Sequence, residues 1–183
     1  MKKYKKILIV THQYLPHVSP RTTRWKLLVD ELIANGHNVS ILTGMYPDFD
    51  TNNVEIIYFG NKNNINIVSN LREKSKQVAS GDAIKKTFYG VLKKIYRFFI
   101  NYLAWPDYSM FWLYQIYKNR NNISKDYDVI ISVSLPFSSH MAAYFINKKV
   151  KKHWIMDVGD PFSLKLDAPE NNRFLYSSLN KRY

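Results

Sequence analysis

ILIVTHQYLPHVSPRTTRWKLLVDELIANGHNVSILT, residues 7–43, decides the fold. It opens on Ile7 to Thr11, a short run of branched apolar residues that predicts a strand buried on both faces. His12 to Pro20 holds two prolines and breaks regular structure. Thr22 or Thr23 can then cap a helix. Trp25, Leu28, Val29, Leu32 and Ile33 fall at i, i+3, i+4, i+7 and i+8, one apolar stripe. Gly36 ends that helix, and Asn38 to Thr43 reads as a second strand. Strand, helix and strand over this length make one βαβ unit.

The pattern continues outward. Val54 to Phe59 predicts a third strand, and Asn61 to Asn70 an Asn-rich loop. A long helix is expected over Ile84 to Leu103, ended by Pro106-Asp107, and another over Ser109 to Asn121. Tyr127 to Val133 reads as a buried strand, Ser138 or Ser139 to Lys149 as a helix, and His153 to Val158 as a strand. Arg173 to Tyr183 predicts a last helix. Alternating strands and helices mean an α/β fold, a Rossmann-like parallel sheet with helices on both faces. The whole chain, 1–183, reads as one such domain. Ligands are then expected outside the carboxyl ends of the strands, after Thr11, Thr43, Val133 and Asp157.

Composition limits the chemistry. The 183 residues contain no cysteine, which excludes disulfides and thiolate metal sites, and the five histidines match no zinc spacing. No metal is expected. The absence of cysteine fits a reducing cytoplasm, and the N-terminal apolar run is too short for a signal peptide. With 27 Lys and Arg against 14 Asp and Glu, net charge is +13, so an anionic partner is expected. No nucleic-acid-binding motif is visible. The loop after the first strand lacks glycine, which disfavours NAD or FAD, because only glycine lets a backbone approach a pyrophosphate closely.

That loop instead carries Arg21 and Arg24 near a helix N-terminus. They are either anion contacts or solvated first-turn residues. His12, His17 and His140 fall at the expected carboxyl edge, where an imidazole could act as acid, base or phosphate contact. His140, in Pro136-Phe137-Ser138-Ser139-His140, is the best placed. His37 and His153 read as structural and exposed, respectively. Asp157 and Asp160 lie at and just past the last strand and can bind sugar hydroxyls or stabilise positive charge, or can simply form the turn.

The long helix separates Ile84, Phe88, Val91, Leu92, Ile95, Phe99, Tyr102 and Leu103 from Lys85, Lys86, Lys93, Lys94 and Arg97. Such a helix either lies in a membrane surface, each cation contributing about 1 kcal/mol near anionic lipid, or packs its stripe on the sheet. Aromatic residues continue from it through Trp105, Tyr108, Phe111, Trp112, Tyr114 and Tyr117. Ile95 to Tyr117 is apolar, but Arg97, Pro106 and Asp107 argue against a transmembrane span.

Three segments together resemble a known family. Residues 7–44, YDVIISVSLPFSSHMAAYFI and WIMDVGDPF are similar to the opening strand–helix–strand, the Ser-x-Pro-Pro-x-Ser-Ser-His segment and the Asp-x-Arg-Asp-Pro-Trp segment of family-4 (group 1) glycosyltransferases. Gly159 and Phe162 stand where that pattern has Arg and Trp. The resemblance implies the N-terminal, acceptor-binding half of a GT-B fold. The nucleotide-sugar donor would be bound mainly by a C-terminal domain carrying Glu-x7-Glu. The chain's four Glu, at 31, 55, 73 and 170, contain no such pair, so that donor domain is expected to lie outside these residues.

The resemblance further implies retaining sugar transfer to a lipid-linked or glycan acceptor in bacterial polysaccharide biosynthesis. No cofactor beyond the nucleotide-sugar substrate is implied. It assigns catalytic roles to His140 and Asp160, and acceptor or phosphate contacts to Ser19, Arg21 and Asp157. The membrane-binding set would be Lys85, Lys86, Phe88, Lys93, Lys94, Arg97 and Phe99. The expected location is cytoplasmic, peripheral on the inner face of the membrane.

Overall fold

A computed structural model describes residues 4–44, 54–60, 90–92, 94–95, 98, 106–123, 126–134 and 136–159. Its centre is a five-stranded, wholly parallel sheet in the order β3-β2-β1-β4-β5. The strands are β1 (Lys6–Val10), β2 (Asn38–Thr43), β3 (Glu55–Tyr58), β4 (Val129–Val133) and β5 (His153–Asp157). The helices are α1 (Pro20–Ala34), α2 (Met110–Asn119) and α3 (Ser138–Val150). This is the expected Rossmann-like α/β fold.

Alternation along each strand assigns the two faces. Ile7, Ile9, Val39, Ile41 and Val133 pack with Trp25 and Val29 of α1. Leu8, Val10, Leu42 and Ile130 pack on the other side with Trp112, Leu113 and Ile116 of α2 and with Met141, Ala142, Ala143 and Ile146 of α3. The sides follow from handedness: β1 to β2 and β4 to β5 step in opposite directions across the sheet, so right-handed crossovers put α1 and α3 on opposite faces. The order in which strands are added therefore reverses between β1 and β4, the point at which sheets of this kind place their ligand crevice.

The first helix begins earlier than its sequence suggested. Ser19, not Thr22 or Thr23, is the N-cap, and its Oγ accepts from Thr22 N at 3.1 Å. Pro20 takes the first helical position, where its missing N–H costs nothing. Thr22 is instead buried. Gly36 ends α1 at φ +85°, in the left-handed conformation that glycine tolerates. A Cβ there would also meet the Tyr4 ring at 2.4 Å.

In the sequence Pro106-Asp107 reads as a break between helices. Asp107 is in fact buried at 5% exposure and fastens α2 to α3. Its Oδ1 accepts from Ser109 N at 2.9 Å, Ser109 Oγ at 2.6 Å and Ser138 Oγ at 2.8 Å. Its Oδ2 accepts from Ser138 N at 2.8 Å, so a carboxylate caps the start of α3. Asp107→Ala leaves these donors unpaired and is expected to lower stability by about 3 kcal/mol. Asp107→Asn should also destabilise, because its amide would turn a donor toward Ser138 N. Urea denaturation of both variants checks this; unchanged midpoints would refute it.

Candidate crevice at the carboxyl edge of the sheet

The strand exits are tied to one another by hydrogen bonds that close the rim of the crevice. The His12 carbonyl, just past β1, accepts from Gly44 N at 3.1 Å and Thr43 Oγ1 at 3.2 Å, joining the β1 and β2 exits. His12 N donates to Ser139 Oγ at 3.2 Å, joining β1 to the first turn of α3. The Asp157 carbonyl accepts from Ser134 N at 3.1 Å, joining β5 to β4. A Cβ on Gly44 would lie 2.5 Å from His12 Cδ2 and 2.9 Å from Trp112 Cδ1, so only glycine lets both rings close over the β2 exit.

His12 is the centre of this rim. Its ring meets Trp112 edge-on at 5.1 Å and Tyr108 at 5.7 Å. Burial pushes its pKa down to about 4, against the opposing pull of the Asp107 carboxylate, so the imidazole is neutral near pH 7. Gln13 Nε2 donates to the Tyr108 hydroxyl at 2.8 Å. Desolvation and Asp107 raise the Tyr108 pKa, while the Arg21 cation and the Gln13 bond oppose them. Arg21 thus lies within electrostatic reach of Tyr108, and Gln13 and His12 both contact Tyr108 directly.

Two polar atoms here are buried without a hydrogen-bond partner among the described residues: His12 Nδ1 and Trp112 Nε1. Each such atom costs about 1–3 kcal/mol relative to a satisfied one. A hydroxyl or water brought into this corner would therefore be favoured. The chemistry on offer is hydrogen bonding by neutral groups beside one guanidinium, which suits a hydroxyl-rich ligand with an anionic portion.

The residues singled out from sequence fall in several places. His140 lies in the first turn of α3 but is 2% exposed and faces inward. Its Nδ1 is 2.7 Å from Ser132 Oγ, which also accepts from Trp154 Nε1 at 2.9 Å. Its Nε2 is buried without a partner among the described residues. The expectation that the α3 start would present His140 to the crevice is therefore corrected: the Ser132 bond and the Phe137 ring, 5.7 Å away, hold it in the core. Asp157 Oδ2 accepts from Trp25 Nε1 at 2.6 Å and pairs with Arg24, so it locks the end of β5 to α1. Ser19 serves as the α1 cap.

His17 and His153 are exposed, and His37 Nδ1 accepts from Lys5 N at 3.1 Å. Asp160, Lys85, Lys86, Phe88, Lys93, Arg97, Phe99 and the helix expected over Arg173 to Tyr183 lie outside the described residues. Gly90, Val91, Leu92, Lys94, Ile95 and Phe98 are helical and exposed. Val91, Leu92 and Ile95, three members of the expected apolar stripe, are thus not covered by the sheet; they are 49%, 38% and 59% exposed. Among the described residues no helix is long and apolar enough to cross a membrane, and no cluster of His, Asp or Glu could hold a metal ion.

Sequence reasoning placed His12 at the carboxyl edge as one of three candidate imidazoles but preferred His140; it named Tyr108 only among the aromatic residues after the long helix and passed over Gln13. The available signal was position: residues immediately after the first strand line the crevice of a doubly wound sheet. No protein-family model and no curated protein sequence matches the chain.

The half-buried His12 and the buried His140 give a pH prediction. Burial also pushes the His140 pKa down to about 4, against an opposing Asp157 charge. In the unfolded chain a histidine titrates near 6.5, so between about 6.5 and 4 the unfolded state binds more protons and stability falls with falling pH. By pH 5 each of His12 and His140 should have cost about 2 kcal/mol. Denaturation midpoints at pH 7, 6 and 5 should show this loss, with a shallower slope in His140→Asn. An equal slope in both would show that His140 does not contribute.

Proposed function

We propose that this chain is the acceptor-binding domain of a retaining glycosyltransferase. Such an enzyme would move a sugar from a nucleotide sugar to a lipid-linked or glycan acceptor in bacterial polysaccharide assembly. The observation that carries the reading is the crevice between β1 and β4. At the β1 exit His12, Gln13 and Tyr108 cluster, with Arg21 within electrostatic reach of Tyr108 and the unsatisfied His12 Nδ1 and Trp112 Nε1 beside them. Neutral hydrogen-bonding groups and aromatic rings recognise hydroxyl-rich rings, and one guanidinium can hold a phosphate. The lack of glycine between β1 and α1 supports a ligand other than a dinucleotide.

In this reading His12, Gln13 and Tyr108 bind and orient the acceptor. Arg21 contacts an anionic group of acceptor or donor. Asp160 keeps the role the resemblance implies, next to the reacting centre. His140, Asp157 and Ser19 act as positioning residues that fix the β4–α3 turn, the β5 end and the α1 start. The donor half would supply the nucleotide-sugar site and complete the transition-state environment by positioning and charge stabilisation. The exposed Val91, Leu92, Ile95 and Phe98, with the cations of residues 85–97, support peripheral attachment to an anionic membrane. A protein working on lipid-linked sugars at the inner membrane face would need that.

The test is a transfer assay on the protein together with its donor half, using radiolabelled nucleotide sugars and a short-chain polyprenyl diphosphoryl sugar as acceptor. Gln13→Ala is expected to raise the acceptor KM about tenfold with a smaller change in kcat, the pattern of lost ground-state binding. Arg21→Ala should weaken binding of the phosphorylated acceptor more than of its dephosphorylated form. Absence of transfer from every donor, with tight NAD binding in its place, would overturn the reading.

A further inference from the structure

Helix α2 is apolar on both sides. MFWLYQIYKN buries Trp112, Leu113 and Ile116 against the sheet. Its outer side, where a surface helix carries charge, instead exposes Phe111 at 53%, Tyr114 at 64% and Tyr117 at 45%. A helix apolar all round belongs inside a core or against a membrane. Charge points to the same partner. The chain has no Asp or Glu from 110 to 125 or from 129 to 156, so α2 and α3 themselves carry no carboxylate, and the one at their starts, Asp107, is buried in hydrogen bonds. Lys118 and Arg120 follow the aromatic stripe, and the Arg120 guanidinium lies 4.0 Å from the Tyr117 ring centre.

The end of α3 adds Lys148 and Lys149, and Lys149 Nζ donates to Asn121 Oδ1, which sets the ends of α2 and α3 side by side. None of these four cations pairs with a carboxylate among the described residues. On the opposite layer the comparable charges are paired, Arg24 with Asp157 and Lys26 with Asp30.

We infer that the outer face of α2, with the adjoining cationic ends of α2 and α3, docks on an anionic phospholipid surface. Phe111, Tyr114 and Tyr117 enter the headgroup region, where amphipathic rings are favoured. Lys118, Arg120, Lys148 and Lys149 meet lipid phosphates. This surface deepens the membrane part of the reading above and is independent of the sugar chemistry. It is also distinct from the segment of residues 84–103.

The chain has no cysteine, so a single introduced one reports on one place. Tyr114→Cys, labelled with an environment-sensitive fluorophore, is mixed with vesicles of phosphatidylcholine containing phosphatidylglycerol, and with phosphatidylcholine alone. Leu27→Cys, at a position 64% exposed on the α1 layer, is the control. Emission at 114 should rise and shift to the blue only with phosphatidylglycerol, and the label at 27 should stay unchanged. Cosedimentation of the unlabelled chain should weaken about tenfold in Lys118→Glu/Arg120→Glu and in Phe111→Ser/Tyr114→Ser. Circular dichroism confirms that these exposed substitutions leave the fold intact.

A silent label at 114 on a chain that sediments with vesicles would overturn the inference. If Lys93→Glu/Lys94→Glu/Arg97→Glu alone then abolished sedimentation, attachment through the 84–103 segment would survive. A chain that ignores phosphatidylglycerol vesicles, or whose label responds instead to a soluble glycan or acidic protein, would also overturn it. Transferase activity without this response leaves the acceptor reading standing and removes only this surface.

Discussion

Strand β1 has no solvent face, and the architecture follows from that. Leu8, Ile9 and Val10 are at most 1% exposed, so apolar layers must cover the strand from both sides. A parallel strand cannot return through a tight turn, so each neighbour is reached over a covering segment. Placing β2 on one side of β1 and β4 on the other, with right-handed crossovers, sends α1 over one face and α2 and α3 over the other. The crevice is a consequence of the same geometry, because the covering layers diverge where the chain changes direction.

Within that frame the polar groups divide into those that hold the rim and those that face the opening. Asp107 lies inside and supplies the negative charge that the start of α3 would otherwise draw from a ligand. His140, Ser132 and Trp154 form a second buried network, and Asp157, Trp25 and Arg24 a third. These groups look catalytic on a list of residue types, yet they are joined to one another across the sheet. Among the described residues, the groups clustered at the β1 exit are less conspicuous: the neutral imidazole of His12, the Gln13 amide and the Tyr108 phenol, with the Arg21 guanidinium in electrostatic reach. Hydrogen-bonding groups of that kind discriminate between ligands by which partners they leave unmatched, so small changes there alter specificity more than fold.

The strands were legible because β-branched runs bounded by turn residues have few other uses; all five expected strands form within two residues of their anticipated ends. The start of α1 was misread because Pro20 counted as a breaker, although the first turn of a helix is where proline is tolerated. The site was legible only in outline. Trp25 and Asp157 are 132 residues apart and Asp107 and Ser138 are 31 apart, so their pairing is set by topology and leaves no local pattern. His140 sits where a helix start would display it, but the twist of the first turn points it at Ser132 of the preceding strand. Histidine type and position could not distinguish those two outcomes, and hydrogen-bond geometry does.

The segment from Pro106 to Tyr117 connects the crevice and the aromatic face within a few residues. Asp107 and Tyr108 sit on the rim, beside Ser138 and Gln13. Phe111 and Tyr114, one and two turns further on, stand on the outer side of the same helix while Trp112 sends its ring back toward His12. The carboxylate at Asp107 fixes where α2 begins, so it also fixes the rotation of that helix and which residues look outward. The substrate proposed above, with a sugar at its reactive end and a lipid tail, presents the same two requirements a short distance apart. A helix anchored just ahead of its first turn can meet both, because rotating it to expose less aromatic surface would withdraw Trp112 from His12.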